Sequence, residues 1–370
     1  MNGSNRRLLV FAPGGRGGAQ RRADLISETL ADRGWQVYMV VRESEASRFE
    51  MRRGPNLVCL SVPGFGSGRS AVALYLLVSV LVGVRWARPA RCALAIQLPW
   101  PAAAAALVGR LYGIPFMLFS TLSGELSDVD DIRIGRSSAV RLRLLRRAAW
   151  LVAQTDAGAQ EAARALPTVP TAVVPNPVNG FWTELLGTPT ASFVGRLSEQ
   201  KDIPTLLEAW CSVVEHRPDA RLVIAGDGGT SRSVEAEIRS AVNDDARLRS
   251  TVTMLGWVDD VQRVLRSCDL FIFPSRSEGM SNALLEAMAT GRVIVASDIA
   301  ANRAVVGDSY PFLFPVGHPS ALAIVVQQAM ADEDLRGGAR RQLRARLDQF
   351  APHRVAASIE ALIDGAPTTR

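Results

Sequence analysis

The sequence predicts an α/β protein of two doubly wound domains in tandem. Three observations carry that prediction. Short runs rich in Val, Leu and Ile alternate with longer stretches of helical period, the same alternation begins afresh after residue 187, and a Pro/Gly/Asn-rich stretch lies between the two series. A chain of 370 residues with 48% hydrophobic and 21% charged content can bury two cores of ordinary size.

The first series reads "RLLVFA", "QVYMVV", "CALAIQL", "PFMLFS", "WLVAQT" and "TAVVP"; the second reads "TASFVG", "ARLVIAG", "TVTMLG", "DLFIFPS" and "VIVAS". Apolar runs without alternation belong to strands covered on both faces, as in a parallel sheet. "PNPVNGFWTELLGTPT" between the series has linker composition. The expected domains are therefore 1–182 and 188–348, hinged near 176–188, with 349–370 as a closing helical segment. In such sheets ligands sit beyond the carboxyl ends of the strands, and for two facing sheets that place is the cleft.

Charge is unevenly distributed. Residues 1–180 hold 22 Arg and no Lys against 12 Asp and Glu, a net of +10, and the remainder nets −4. An anionic partner is expected on the basic half. Low aromatic content and the lack of zinc, helix-turn-helix or RNP motifs argue against nucleic acid. The four cysteines are far apart, with no metal-ligand spacing, and read as reduced packing residues of a cytoplasmic protein. The apolar run Leu8 to Pro13 is too short for the core of an export signal.

Three turns at strand ends can carry chemistry. "PGGRGGAQRR" offers Gly17 and Gly18 just before a helix N-terminus able to receive an anion, though the spacing is neither a P-loop nor a dinucleotide fingerprint. "GRLSEQKD" holds Arg196 and Lys201, and Lys201 is the single lysine among 42 basic residues. Its placement in such a turn favours phosphate contact over a solvated surface charge. "PSRSEGMSNALLEAMATG" holds Glu278 in a turn and Glu286 on the helix that follows, with Ser281 or Asn282 as N-cap. Backbone N–H groups of Gly279, Met280, Ser281 and Asn282 would face the strand ends. That set suits a sugar diphosphate: amides for phosphate oxygens, carboxylates for hydroxyls, Arg and Lys for the diphosphate.

"GRLSEQKDIPTLLEAW", "LVIAGDGG", "LGWVDDV", "PSRSEGMSNALLEAMATG" and "VIVASD", in this order, resemble the nucleotide-binding domain of the retaining glycosyltransferases of family 4, which have the GT-B fold of two Rossmann-like domains. The N-terminal "GGRGGAQRRADLISETLADRGWQVYMV" is similar to that family's first glycine loop and helix. The resemblance implies transfer of a hexosyl or N-acetylhexosaminyl group from a nucleotide-diphosphate sugar, with UDP the frequent nucleotide, to an alcohol acceptor. A lipid-linked saccharide, a glycoconjugate or a small natural product would serve. It implies retained anomeric configuration and no metal or other cofactor. Arg196 and Lys201 would hold the diphosphate, Gly226 would lie in the donor turn, Glu286 would hold the ribose, and Glu278 with the amides of 279–282 the transferred sugar. The last segment, "PHRVAASIEALIDG", would cross back onto the first domain.

Two departures stand out. Many relatives carry a histidine in the first-domain turn that here reads "STLSGELSD", so Ser123, Gly124 and Glu125 are the acceptor-side candidates and no imidazole base is named. His216, His318 and His353 read as surface or helix-end residues. Val293 stands where proline is frequent. "DVD" at 128–130 matches a metal-binding pattern in form, but its polar loop argues for coincidence. Ala71 to Val84 is apolar nearly all round and too short to span a bilayer, so it is either a buried helix, the favoured reading, or one lying in an interface. With Arg136, Arg141, Arg143, Arg146 and Arg147 on a nearby helix, it makes an anionic membrane surface an expected partner. The rival functions are a nucleotide-sugar 2-epimerase on the same fold and an inactive nucleotide-sugar-binding protein. Donor hydrolysis without acceptor separates the second from an enzyme.

Overall fold

The structure, a computed structural model, describes all residues except 1–5, 16, 44–49, 64–68, 89, 99, 122–137, 230 and 367–370. The chain forms two compact units. One runs to Pro177 and resumes at Pro352; the other is Val178–Ala351.

In the first unit the chain order is β1 (Arg7–Ala12), α1 (Gly18–Asp32), β2 (Gln36–Glu43), β3 (Glu50–Arg53), β4 (Leu57–Pro63), α2 (Arg69–Trp86), β5 (Cys92–Ile96), α3 (Trp100–Tyr112), β6 (Phe116–Phe119), α4 (Ser138–Leu145), β7 (Trp150–Ala153), α5 (Asp156–Ala165) and β8 (Thr171–Val173). The sheet order is β3-β4-β2-β1-β5-β6-β7-β8. All pairings are parallel except that of the edge strand β3 with β4. Every residue of β5 and β6 is buried, as expected of strands covered on both faces.

The second unit contains β9 (Thr190–Val194), α6 (Ile203–His216), β10 (Arg221–Ala225), α7 (Arg232–Asp244), α8 (Ala246–Thr251), β11 (Val252–Gly256), α9 (Val261–Arg266), β12 (Leu270–Phe273), α10 (Asn282–Ala289), β13 (Val293–Ser297), α11 (Ala300–Val306), β14 (Leu313–Phe314), α12 (Pro319–Ala331) and α13 (Glu333–Leu347). Its sheet is parallel throughout, in the order β11-β10-β9-β12-β13-β14. One core surrounds it, with Trp210, Phe193, Phe271 and Phe273 among the largest buried side chains. The strand order reverses between β9 and β12, so the turns that follow these two strands lie side by side. That reversal is where a doubly wound sheet receives its ligand.

The last helix, α14 (Pro352–Asp364), belongs to the first unit. Val355, Ala356, Ile359 and Ile363 join the core around α1. Glu360 on this helix accepts from the Trp35 indole at 2.8 Å and from the Arg33 guanidinium. Burial pushes the Glu360 carboxyl up, but these two donors outweigh it and hold the group below the usual glutamate value.

The stretch read as a linker is joined to the second unit from residue 178 onward. Val178 donates its amide to Phe350, Phe181 to Ala289 and Thr183 to Thr290. Asp269 accepts the amides of Leu186 and Thr188 at 2.6 and 2.7 Å. Arg292, fully buried, donates to the carbonyls of Thr183, Glu184, Cys268 and Thr290. Trp182 packs where Gly291 has no side chain, beneath the guanidiniums of Arg340 and Arg344.

Candidate functional site

The site of the second unit is built on the two turns at the strand-order reversal. After β9 the chain passes Gly195 and Arg196, makes a single 3-10 turn at Glu199–Lys201, and enters α6 through Asp202, whose φ of 49° is left-handed. After β12 it runs from Pro274 to Ser281 and enters α10.

These turns are cross-linked. Arg276 donates its amide to the Gln200 carbonyl, and the Gln200 side chain donates back to the Ser277 carbonyl. The Arg276 guanidinium pairs with Asp202 at 3.1 Å, fixing the left-handed residue that aims Lys201. At the centre the Lys201 ammonium forms an ion pair with the Glu278 carboxylate, their side chains only 13% and 6% exposed. The same ammonium lies 4.9 Å from the centroid of the Phe273 ring at the end of β12. Beneath the turn, Ser297 donates to the Ser275 carbonyl and receives a bond from Asn302, all three fully buried.

α10 starts as its sequence dictates. Ser281 is the N-cap in extended conformation, and its hydroxyl accepts the Leu284 amide at 3.3 Å. Glu286 therefore sits in the second turn of α10, and both it and Glu278 are buried. Gly279, Met280 and Ser281 are buried as well.

A third turn closes on the first. Gly226, at φ 135°, is pressed against Gly195: a Cβ there would lie 1.9 Å from the Gly195 carbonyl oxygen. Only glycine fits that position. The Leu197 amide bonds to the Asp227 carbonyl, and Glu235 on α7 accepts the Gly228 amide at 2.7 Å. That bond, with the Arg239 guanidinium, holds the Glu235 carboxyl below its ordinary range. Arg196, exposed, leans over Gly229.

Lys201, Glu278, Gly226, Arg196 and the start of α10 are thus assembled as one group of turns, the buried Glu286 standing on the helix that leads from it. Gly17 and Gly18 belong to the first unit, as the N-cap and first residue of α1. Ser123, Gly124, Glu125 and the 128–130 motif lie outside the described residues. The three histidines are exposed, with His216 closing α6 and His318 preceding α12. Four features escaped the sequence reading: the Lys201–Glu278 pair, Asp202, the buried Arg22, and Gln97. Arg22 donates to the carbonyls of Ser120 and Val174. Gln97 is a non-glycine residue at φ 80° immediately after β5, where the first sheet reverses its strand order. The local sequence "AIQLPW" carries no glycine or asparagine to signal a positive φ at this position.

Fold and site define a two-unit parallel α/β protein with an ion-paired, glycine-lined turn cluster at a strand-order reversal. Residues 17–177 match the family described as "Glycosyl transferase 4-like domain", and residues 188–332 match "Glycosyl transferases group 1". The chain belongs to family 4 of the glycosyltransferases and has the GT-B fold. It is 33% identical over 133 residues to the Escherichia coli UDP-Gal:alpha-D-GlcNAc-diphosphoundecaprenol alpha-1,3-galactosyltransferase, covering 34% of this chain and 33% of that protein. It is 26% identical over 288 residues to the 2-deoxystreptamine glucosyltransferase of Streptomyces kanamyceticus, covering 70% and 72%. It is 34% identical over 154 residues to the phosphatidyl-myo-inositol mannosyltransferase of Mycolicibacterium smegmatis, covering 40% and 38%. The match thus spans about a third of the galactosyltransferase and 38% of the mannosyltransferase. Among solved structures, Anabaena HepE in complex with UDP-glucose shares the fold at TM-score 0.77 and 16% identity, over 97% of this chain and 99% of that one. Sucrose-phosphate synthase from Thermosynechococcus elongatus does so at TM-score 0.74 and 18% identity, over 98% and 99%.

Proposed function

We propose that the protein is a retaining, metal-independent glycosyltransferase that moves a hexosyl or N-acetylhexosaminyl group from a nucleotide-diphosphate sugar, with UDP as the nucleotide, to an alcohol acceptor. The acceptor class is a lipid-linked saccharide, a glycoconjugate or a small natural product; the similar proteins above are named for GlcNAc-diphosphoundecaprenol, phosphatidyl-myo-inositol and 2-deoxystreptamine. The observation that carries the reading is the buried Lys201–Glu278 pair beside the N-terminus of α10.

In this reading Lys201 divides its positive charge between Glu278 and the donor diphosphate, and Arg196 adds a second cation from the solvent side. The leaving diphosphate is stabilised by these groups and by the N-terminal end of α10. It takes the acceptor proton itself, which accounts for transfer without a histidine in the turn that reads "STLSGELSD". Glu278 and the amides of Gly279 to Asn282 bond the transferred sugar, and Glu286 the ribose. Ser123, Gly124 and Glu125 serve the acceptor, with Gly17 and Gly18 giving the donor phosphates close backbone approach.

A thermal-shift screen with UDP-, GDP- and ADP-sugars tests the donor, because a ligand of the native state raises its melting temperature. Proton NMR of the product tests retention. A UDP-sugar that raises the melting temperature and yields a product of unchanged anomeric configuration supports the reading; an inverted product or no donor response overturns it.

A further inference from the structure

We propose that the face of the first unit formed by α2, α3 and α4 docks on an anionic lipid surface. The sequence reading favoured a buried α2, and the structure corrects it. Val72, Tyr75, Ser79 and Val82 are buried, but Leu77, Leu81 and Val84 are 56%, 58% and 69% exposed. Spaced at i, i+4 and i+7, these three form one apolar stripe on the opposite side of the helix. A water-facing helix surface ordinarily carries polar residues, so a leucine stripe there marks a contact surface.

The neighbouring helices also expose apolar residues. The Tyr112 hydroxyl donates to the Val80 carbonyl at 3.0 Å, and its ring fills the space where Gly83 has no Cβ. The end of α3 is thereby held against the last turns of α2, and there Leu111 is 54% exposed. α3 packs in turn on α4, whose Val140 is 71% exposed.

Charge selects the partner. Arg85, Arg88, Arg110, Arg143, Arg146 and Arg147 are exposed on and beside these helices. No Asp or Glu occurs from residue 51 to residue 124, a stretch with seven arginines, nor from 138 to 149. A merely solvated face would mix both signs. Apolar side chains framed by cations, with no Asp or Glu on any of the three helices, complement the acyl boundary and negative headgroups of a lipid surface. Among the described residues no helix is long and apolar enough to cross a membrane, so the contact is one that lies on the surface.

The proposal does not rest on the donor site, and its test needs no sugar nucleotide. The full chain is sedimented with phosphatidylcholine vesicles and with vesicles also containing phosphatidylglycerol. Each arginine near an anionic surface contributes about fivefold, so the Arg143→Gln, Arg146→Gln, Arg147→Gln triple variant should lose roughly a hundredfold in affinity at low salt. Arg141, half-buried, is left in place. A Leu81→Glu, Val84→Glu double variant, changed only at exposed positions, should lose binding that high salt does not remove. Melting temperature is measured for both, and the wild-type value shows that the fold survives. Three results overturn the proposal: wild type that ignores anionic vesicles, binding that both folded variants retain, or loss in the arginine variant alone, which would mean a polyanion other than lipid.

Discussion

Lys201 and Glu278, 77 residues apart in the chain, form a buried ion pair between the turns that follow β9 and β12. Neither turn is connected locally to the other; the strand-order reversal brings them together. Both charges are largely withdrawn from water, so each depends on the other, and on any ligand that replaces it, for its stabilisation.

Glu278→Gln keeps the side-chain volume but removes the charge that balances Lys201. A lost charge-assisted bond costs about 1.5 to 3 kcal/mol, equivalent to a roughly 10- to 150-fold fall in transfer rate. Steady-state assay of the folded variant checks this, and full activity would remove Glu278 from the site.

Lys201→Arg should also damage donor use, although the composition otherwise prefers arginine. The lysine stem runs past Gly195, its Cε 3.7 Å from the position a Cβ would take, and ends over Phe273. A planar, longer guanidinium cannot occupy that place as a compact charge. The expected outcome is a raised KM for the donor; an unchanged KM would make the single lysine an accident of composition.

Gly226→Ala should destabilise the second unit by more than about 2 kcal/mol, since the new methyl would meet the Gly195 carbonyl and the residue would keep an unfavourable φ. A melting temperature within a degree of wild type would contradict the close approach.

Much of this site was legible because its parts are local. Ser281 as a cap, Glu286 in the second helical turn and glycines at strand ends follow from short-range rules. The buried strands β5, β6, β12 and β13 were legible from unbroken apolar runs. β3, with the sequence EMRR, was not, because an edge strand shows no apolar period, and β14 is only two residues long. The role of Arg292 was also hidden. A fully buried arginine answered by backbone carbonyls from residues 183 to 290 leaves no pattern in the sequence, and without it the segment around 183 reads as a free linker.

The pH dependence of the donor turns should follow Glu235. Its folded pKa lies below the ordinary 4.5, chiefly through the Gly228 amide and then Arg239. A carboxylate depressed in this way adds stability that is fully present above the unfolded value and is lost as pH falls through the folded one. The melting temperature of Glu235→Gln should thus be lower than wild type at pH 7, the gap closing below about pH 4. A gap that stays constant into acid would contradict the assignment.

The account stands most directly on donor binding by the second unit. The measurement is calorimetric titration of the full chain with the nucleotide sugar that most raises its melting temperature, for wild type, Lys201→Ala and Glu286→Gln. The account predicts binding by wild type and at least about tenfold weaker binding by each folded variant, one charge-assisted contact being worth about that much. Equal affinity in all three proteins, or no binding of any nucleotide sugar by wild type, would contradict it.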